Sequence, residues 1–395
     1  MSNTLLTPSL ITKETLVILE NNLVMAGKVN RQFENQFVKI GNAITIRKPN
    51  RFVITNGPGL VIQNISEPST SITISNQQHV DFQFSSQDLT LTIEEFSERY
   101  LKPAAVTIAN SIDYTVFSNF SSFSNLVGTA GTLPASFQSL ANVGQRLDEL
   151  AAPQDGRTLV LNPAAYWSLA NGVSNLFVTM VSEPALKGFL ANIANFSIYV
   201  DQNAQAHMWG AFAGAGVVNG ANQTGNLIVT NGWTPSITGL FNAGDVVTFA
   251  GVFEVNPQNR QSTGALKDFV ITSAVNSDSG GNATLSIFPS INISGAYQNA
   301  SASPANLATV SAATAPVKST SYFNNLGFCR DAIGLVTVPL ELPDGVDFRS
   351  REMWKGISMR IIRAYDVTND VLPTRIDVLY GTAQYYNDLG VRLSN

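Results

Sequence analysis

Few side chains in these 395 residues could do acid–base or metal chemistry. There are two histidines, His79 and His207, and one cysteine, Cys329. A serine-hydrolase arrangement needs a histidine base held beside a nucleophile. His79 lies in a strand-like stretch and His207 in a Gly/Ala-rich turn, so both read as satisfied or solvated polar residues. A single cysteine excludes an intrachain disulfide and a cysteine-rich zinc site. Cys329 reads as a small buried residue in preference to a reactive thiol. Gly210, Gly214 and Gly216 do not complete the dinucleotide-binding fingerprint, because Asn219 stands where the last glycine belongs. Asp344 and Asp347 could hold a cation or solvate a turn, and the second reading is favoured. A glycan hydrolase would use paired carboxylates, yet no such constellation stands out. No catalytic, cofactor-binding or metal residue is therefore assigned, and no cofactor is expected.

One basic run remains. Arg349, Arg351, Lys355, Arg360 and Arg363 interleave with Glu352. They could form a nucleic-acid face, or pair with nearby acids across a subunit contact. Residues 330–395 hold eight bases and nine acids, and this balance favours pairing. The net charge of −5 argues against a globally basic coat for nucleic acid.

Charged residues make up only 13% of the chain, against about 25% in an average soluble protein. So little charge suggests a surface meant to be covered by other subunits. No basic, apolar leader of the secretory type is visible, and no apolar run is long enough to span a bilayer. The expected setting is a bacterial or host cytoplasm, without a membrane.

The periodicity divides the chain. Residues 12–26 predict a helix with Thr12 as its cap and Gly27 as its stop, an arm that packs on something else. Strict alternation at Ala43–Arg47, Thr70–Ile74, Val80–Phe84 and Leu89–Ile93 predicts strands in a long two-stranded ribbon, with a turn at Asn56–Gly59. Such a ribbon has little core of its own and needs a neighbour to lie on. Phe96, Tyr100, Ala104, Ile108, Ile112, Val116 and Phe120 recur every fourth residue, which predicts a long helix over 94–120 with a kink or restart at Pro103.

Further on, helices are expected at Phe137–Leu150, Asn162–Leu169 and Leu186–Ile193, with a buried strand at Arg157–Leu161. Residues 202–328 contain only seven charges in 127 positions and read as all-β. Strands are expected there at Leu227–Thr230, Val246–Phe253, Phe269–Val275 and Ala283–Phe288, and Ala300–Pro316 reads as an extended loop. Strands at Ala332–Val338, Ser358–Tyr365 and Arg375–Tyr380 close the chain.

This order of elements resembles tailed-bacteriophage major capsid (coat) proteins of the Hong Kong 97-like fold, in the subfamily with an inserted β-barrel domain. Four stretches carry the resemblance. Glu98–Asp113 is similar to the spine helix, proline included, and Gly244–Val252 to a strand pair of the inserted barrel. Asn325–Leu335 is similar to the strand that re-enters the main domain, and Arg375–Gly381 to the last strand of the peripheral domain.

The resemblance implies an α+β fold. Residues 1–40 would be the N-terminal arm, 41–92 the E-loop β-hairpin, and 93–122 the spine helix of the peripheral domain. Residues 123–200 and 321–360 would build the axial domain, 201–320 the inserted domain, and 361–395 the C-terminal strands of the peripheral domain. It implies self-assembly into hexamers and pentamers, an icosahedral head around double-stranded DNA, and no enzymatic activity. A scaffolding protein, a portal and a decoration protein would be the further partners. The alternative is another phage structural part, a tail or decoration protein.

Overall fold

The computed structural model describes residues 8–32, 43–60, 62–63, 67–85, 100–173, 192–346, 348–354 and 356–395. The expected strand at Leu89–Ile93, residues 94–99 of the long helix, and residues 186–191, Asp347 and Lys355 lie outside these. The chain divides into two units. One is Met1–Ile46, Ser69–Phe117 and Ile333–Ala383; the other is Arg47–Pro68, Ser118–Ala332 and Gln384–Asn395. This division departs from the expected limits: residues 333–360 fall in the first unit and 384–395 in the second.

The first unit is a sheet covered by two helices. Strands run in the order Ile333–Val338, Val371–Gln384, Ile357–Arg363, Phe348–Trp354, and Asn76–Ser85 also pairs with Val371–Gln384. Alternation sets the faces. Ile357, Met359, Ile361, Ile376, Val378 and Tyr380 are buried on one side. Helix α1 (Pro8–Asn22) packs on strands Phe348–Trp354 and Ile357–Arg363 and on helix α2 (Lys102–Phe117). The buried stripe of α2 is Ala104, Ala105, Ile108, Ala109, Ile112, Val116 and Phe117, as its four-residue recurrence predicts. Helical geometry of wider pitch at Tyr100 and Leu101 runs into α2, so Pro103 marks a restart where its missing N–H costs least. The regular helix stops at Phe117, and Ser118–Ser122 tightens into a 3₁₀ turn.

Three expectations change here. The first helix begins at Pro8, with proline at its first position, and Thr12 is buried inside it. It is not an unattached arm, because Leu16 and Leu19 are fully buried within its own unit. The ribbon is also shorter than expected. Ala43–Arg47 pairs with Ser69–Thr73, whereas Asn76–Ser85 joins the five-stranded sheet. Alternating residues specify a strand but not its partner.

The second unit holds a mixed sheet in the order Leu126–Gly128, Gly390–Ser394, Ser321–Cys329, Arg157–Leu161, Phe196–Val200, Asn192–Ile193. Asn192–Ile193 is thus a strand rather than the end of a helix. Helices α3 (Phe137–Glu149) and α4 (Pro163–Val173) belong to this unit, and Leu140, Val143, Leu147 and Leu169 share a core with Leu159, Phe196 and Val391. A Cβ on Gly327 would lie 2.6 Å from the Val143 side chain, so glycine permits this close approach.

Six further strands form a ring. Their order is Val310–Ala312, Val246–Val255, Ser262–Ile271, Ala283–Ile291, Gly225–Trp233, Gly214–Val218. The end strands are joined in turn, since Val218 N–H donates to Ala308 O (2.9 Å) and Leu307 N–H to Val218 O (2.9 Å). The ring closes on Val218, Ile228, Trp233, Phe241, Phe249, Phe269 and Leu285. Gly214–Val218 and Val310–Ala312 are too short and too small-residue-rich to read as strands, and the second lies within the expected loop. The chain enters and leaves the ring through neighbours, for Ala206–Met208 pairs with Ser321–Phe323.

Candidate assembly site: a buried charge network and an exposed loop

Of the seven charges in residues 202–328, four are buried: Asp245, Glu254, Lys267 and Asp268. Asp245, Glu254 and Asp268 are joined to side chains from outside the ring. Arg146 stands on the core face of α3 beside Val143 and Leu147 and is only 6% exposed. Its Nη1 lies 2.5 Å from Glu254 Oε2 and 3.5 Å from Glu149, and its Nη2 2.9 Å from Asp268 Oδ2. Lys267 Nζ reaches Glu254 Oε1 at 2.5 Å, and Leu126 N–H donates to Asp268 at 3.2 Å. Burial alone would lower the Arg146 guanidinium, but Asp268, Glu254 and Glu149 outweigh it and hold it above its ordinary value. Burial pushes the Asp268 carboxyl up, against the pull of Arg146. An open cavity of about 530 Å³ lies beside this cluster, lined by Asn142, Gln145, Arg146, Glu149 and Asp268 among others. Both acids there are bound to Arg146, which leaves no free acid–base pair.

A second cluster surrounds Asp245. His207 Nε2 lies 2.6 Å from Asp245 Oδ1, while Gly210 N–H (3.0 Å) and Asn242 N–H (2.8 Å) donate to Oδ2. Arg392 is fully buried and donates to three carbonyls: Phe123 O (2.6 Å), Gly244 O (2.8 Å) and Ser121 O (3.0 Å). Burial pushes Arg392 down to about 9, with Asp245 and Asp268 opposing. Together these contacts fix the ring to α3, to the 118–128 segment and to the last strand. A buried charge cluster is costly to break and specifies one arrangement.

The remaining sequence candidates are His79, Cys329 and the basic run. His79 pairs with Asp81 across 2.8 Å on a partly exposed strand. Cys329 is buried, its Sγ facing Pro153 O at 3.5 Å, and burial raises its thiol. Several members of the basic run meet partners within the subunit. Arg349 meets Asp344 (2.5 Å), Arg360 and Arg375 share Asp377 (2.6 and 2.5 Å), and Arg363 lies over the Phe348 ring. Among the described residues no three potential ligands cluster as a metal site. No described helix is long and apolar enough to cross a membrane.

Large apolar side chains concentrate on the segment between the two ribbon strands. Ile54 is 91% exposed, Leu60 90% and Ile62 83%, and Phe52 is also exposed. Residues 52–63 carry no charge. A run of bare aliphatic groups on one loop marks a contact surface.

A search of the curated proteins gives no match. Among solved structures, the chain is similar to one described as Mycobacterium phage Che8, with TM-score 0.50 and 12% identity over 94% of this chain and 90% of that one. It is also similar to the capsid structure of cyanophage P-SCSP1u, with TM-score 0.48 and 9% identity over 90% and 84%. The family model described as "P22 coat protein - gene protein 5" matches residues 2–394. With a match across nearly every residue, the chain belongs to the P22 coat protein family.

Proposed function

We propose that this chain is the major capsid protein of a tailed bacteriophage, assembling as hexamers and pentamers into an icosahedral shell around double-stranded DNA. The full-length family match carries the reading. The bare apolar loop and the low charge support it, because both suit a subunit covered by its neighbours. Residues 43–73 act as the E-loop, shorter than the 41–92 expected because Asn76–Ser85 joins the five-stranded sheet, with 52–63 as the part that laps onto an adjacent copy. Residues 93–122 act as the spine, and 201–320 as the inserted barrel, which the ring closure and the paired entry and exit strands favour. Residues 1–40 serve as the N-terminal arm, 123–200 with 321–332 and 384–395 as the axial domain, and 333–383 as the strands of the peripheral domain. Scaffolding protein, portal and a decoration protein are the expected partners during assembly in the bacterial cytoplasm, and the virion is the final location.

The subunit acts by geometry and not by catalysis. Arg146 and Lys267 hold Glu254 and Asp268, while Arg392 holds backbone carbonyls and Asp113 backbone N–H groups, so these buried charges serve the fold. A moderately acidic chain would confine DNA without gripping it, since dense phosphate contacts would oppose packing and release. Negative-stain electron microscopy of the chain expressed alone and with a scaffolding protein tests the proposal. Closed shells are expected; small monodisperse subunits under both conditions would overturn it.

A further inference from the structure

The apolar loop is bare at its tip but fastened at its root. Three separate elements of the same unit hold residues 48–53. The turn Asn387–Leu389 supplies Asp388, whose Oδ2 lies 2.8 Å from Arg51 Nη2, while Lys48 Nζ sits over the Tyr386 ring at 5.1 Å. Next to Asp388, Asn387 is buried and accepts the Ser124 N–H at 2.9 Å, so the acid stands on a rigid base. The segment before Ala300 supplies Tyr297, whose hydroxyl accepts the Arg51 N–H (3.4 Å) and donates to Asn50 Oδ1 (3.4 Å). The turn between strands Val246–Val255 and Ser262–Ile271 supplies Arg260, held with φ of 58°. Its Nη2 donates to Phe52 O (3.1 Å) and Ala296 O (3.3 Å), and its Nη1 to Gly295 O. Immediately beyond, Gln63 spans the loop by accepting the Val53 N–H (2.8 Å) and donating to Val53 O.

We propose that Arg51, Asp388, Arg260 and Tyr297 form an intramolecular clasp that sets the direction in which the apolar loop leaves its subunit. The inference rests on the proposed role of that loop in lapping onto a second copy. One surface ion pair would be weak alone. Here it acts with two hydrogen-bonding anchors on different elements, so that the loop root has one bound arrangement while its tip stays free for a partner. A loop with a preset direction makes every contact between copies at a similar angle. Loss of the clasp therefore changes how uniformly shells curve, and leaves the fold of the subunit intact.

The test uses the full-length chain with Arg51→Glu, Asp388→Arg, the double exchange, and deletion of residues 52–63. Each single variant is expected to speed hydrogen exchange of residues 48–53 in unassembled subunits by about fivefold, the effect of losing one such pair. Each is also expected to broaden shell diameters in electron micrographs, and the double exchange to restore both. Tyr297→Phe removes one hydroxyl without a charge change and should speed exchange of the Arg51 amide, so it decides the matter if a charge reversal prevents folding. Wild-type exchange and wild-type shells in both single variants would overturn the clasp, as would folded singles that the double fails to rescue. If deleting 52–63 leaves normal shells, the lapping role itself is wrong. If the deletion abolishes shells while Arg51→Glu does nothing, the clasp alone is wrong.

Discussion

Replacing Arg146 by methionine isolates the energetics of the buried network. The change keeps most of the aliphatic stem and removes the guanidinium that touches Glu254 and Asp268. Glu254, fully buried, would keep Lys267 at 2.5 Å, but Asp268 would lose its ion pair and keep the Leu126 N–H as a hydrogen-bond donor. Removing one member of a buried ion pair costs about 3–5 kcal/mol, chiefly because the opposite charge stays buried without compensation. For a unit of this size, each kcal/mol moves the melting midpoint by roughly 2–4 °C, so the fall should be roughly 6–20 °C.

The loss should also depend on pH. Burial already holds the Asp268 carboxyl above its usual range. A carboxyl raised in the folded state binds its proton more tightly there than in the unfolded chain. Its stabilising contribution is present at low pH and is lost as pH rises from the ordinary carboxylate range through the raised value. Without Arg146 the carboxyl rises further, so the deficit of the variant should shrink as pH falls from neutral toward the ordinary carboxylate range. Thermal unfolding of unassembled subunits, followed by fluorescence of the buried Trp209 and Trp233 in the same unit, measures both effects. Adding Asp268→Asn should recover part of the loss at neutral pH. A midpoint within about 2 °C of the parent, or a deficit that ignores pH, would refute the account of an unpaired buried carboxylate.

Other consequences are simpler to state. Deleting residues 52–63 should leave the far-ultraviolet spectrum unchanged and yield no sedimenting shells, since the segment contributes apolar surface but no core. Asp113 accepts the N–H of Val24 and of Ala26 at 2.7 Å each, so Asp113→Ala leaves two donors without this acceptor. It should destabilise the first unit by about 2–4 kcal/mol and open residues 23–32 to protease, whereas Asp113→Asn should lose less. A Cβ at Gly216 would lie 2.1 Å from the Trp233 ring, so Gly216→Val should displace that ring from Phe241 and shift its fluorescence.

The local elements were largely legible because burial is periodic. The four-residue recurrence through Ala104, Ile108, Ile112 and Val116 names the core face of α2, and alternation names the strands at Ala43–Arg47, Ile357–Arg363 and Val371–Gln384. Missed strands are those without such a signal. Gly214–Val218 and Val310–Ala312 are short and small, and they become strands because the ring supplies their partners. Thr12 reads as a cap because a threonine before an apolar stripe has the same composition whether it starts a helix or, as here, lies inside one.

The amino-acid sequence alone determined the family, the alternation of helical and β-rich regions and the scarcity of charge. These depend on residue type and short spacing, which the chain carries in itself. Only the tertiary structure decided where the few charges go. Arg146 lies 108 positions before Glu254 and 122 before Asp268, and Arg51 lies 337 before Asp388. Nothing local marks such partners, because an ion pair is specified by proximity after folding, and low charge looks the same in sequence whether it leaves a bare surface or fills a buried joint.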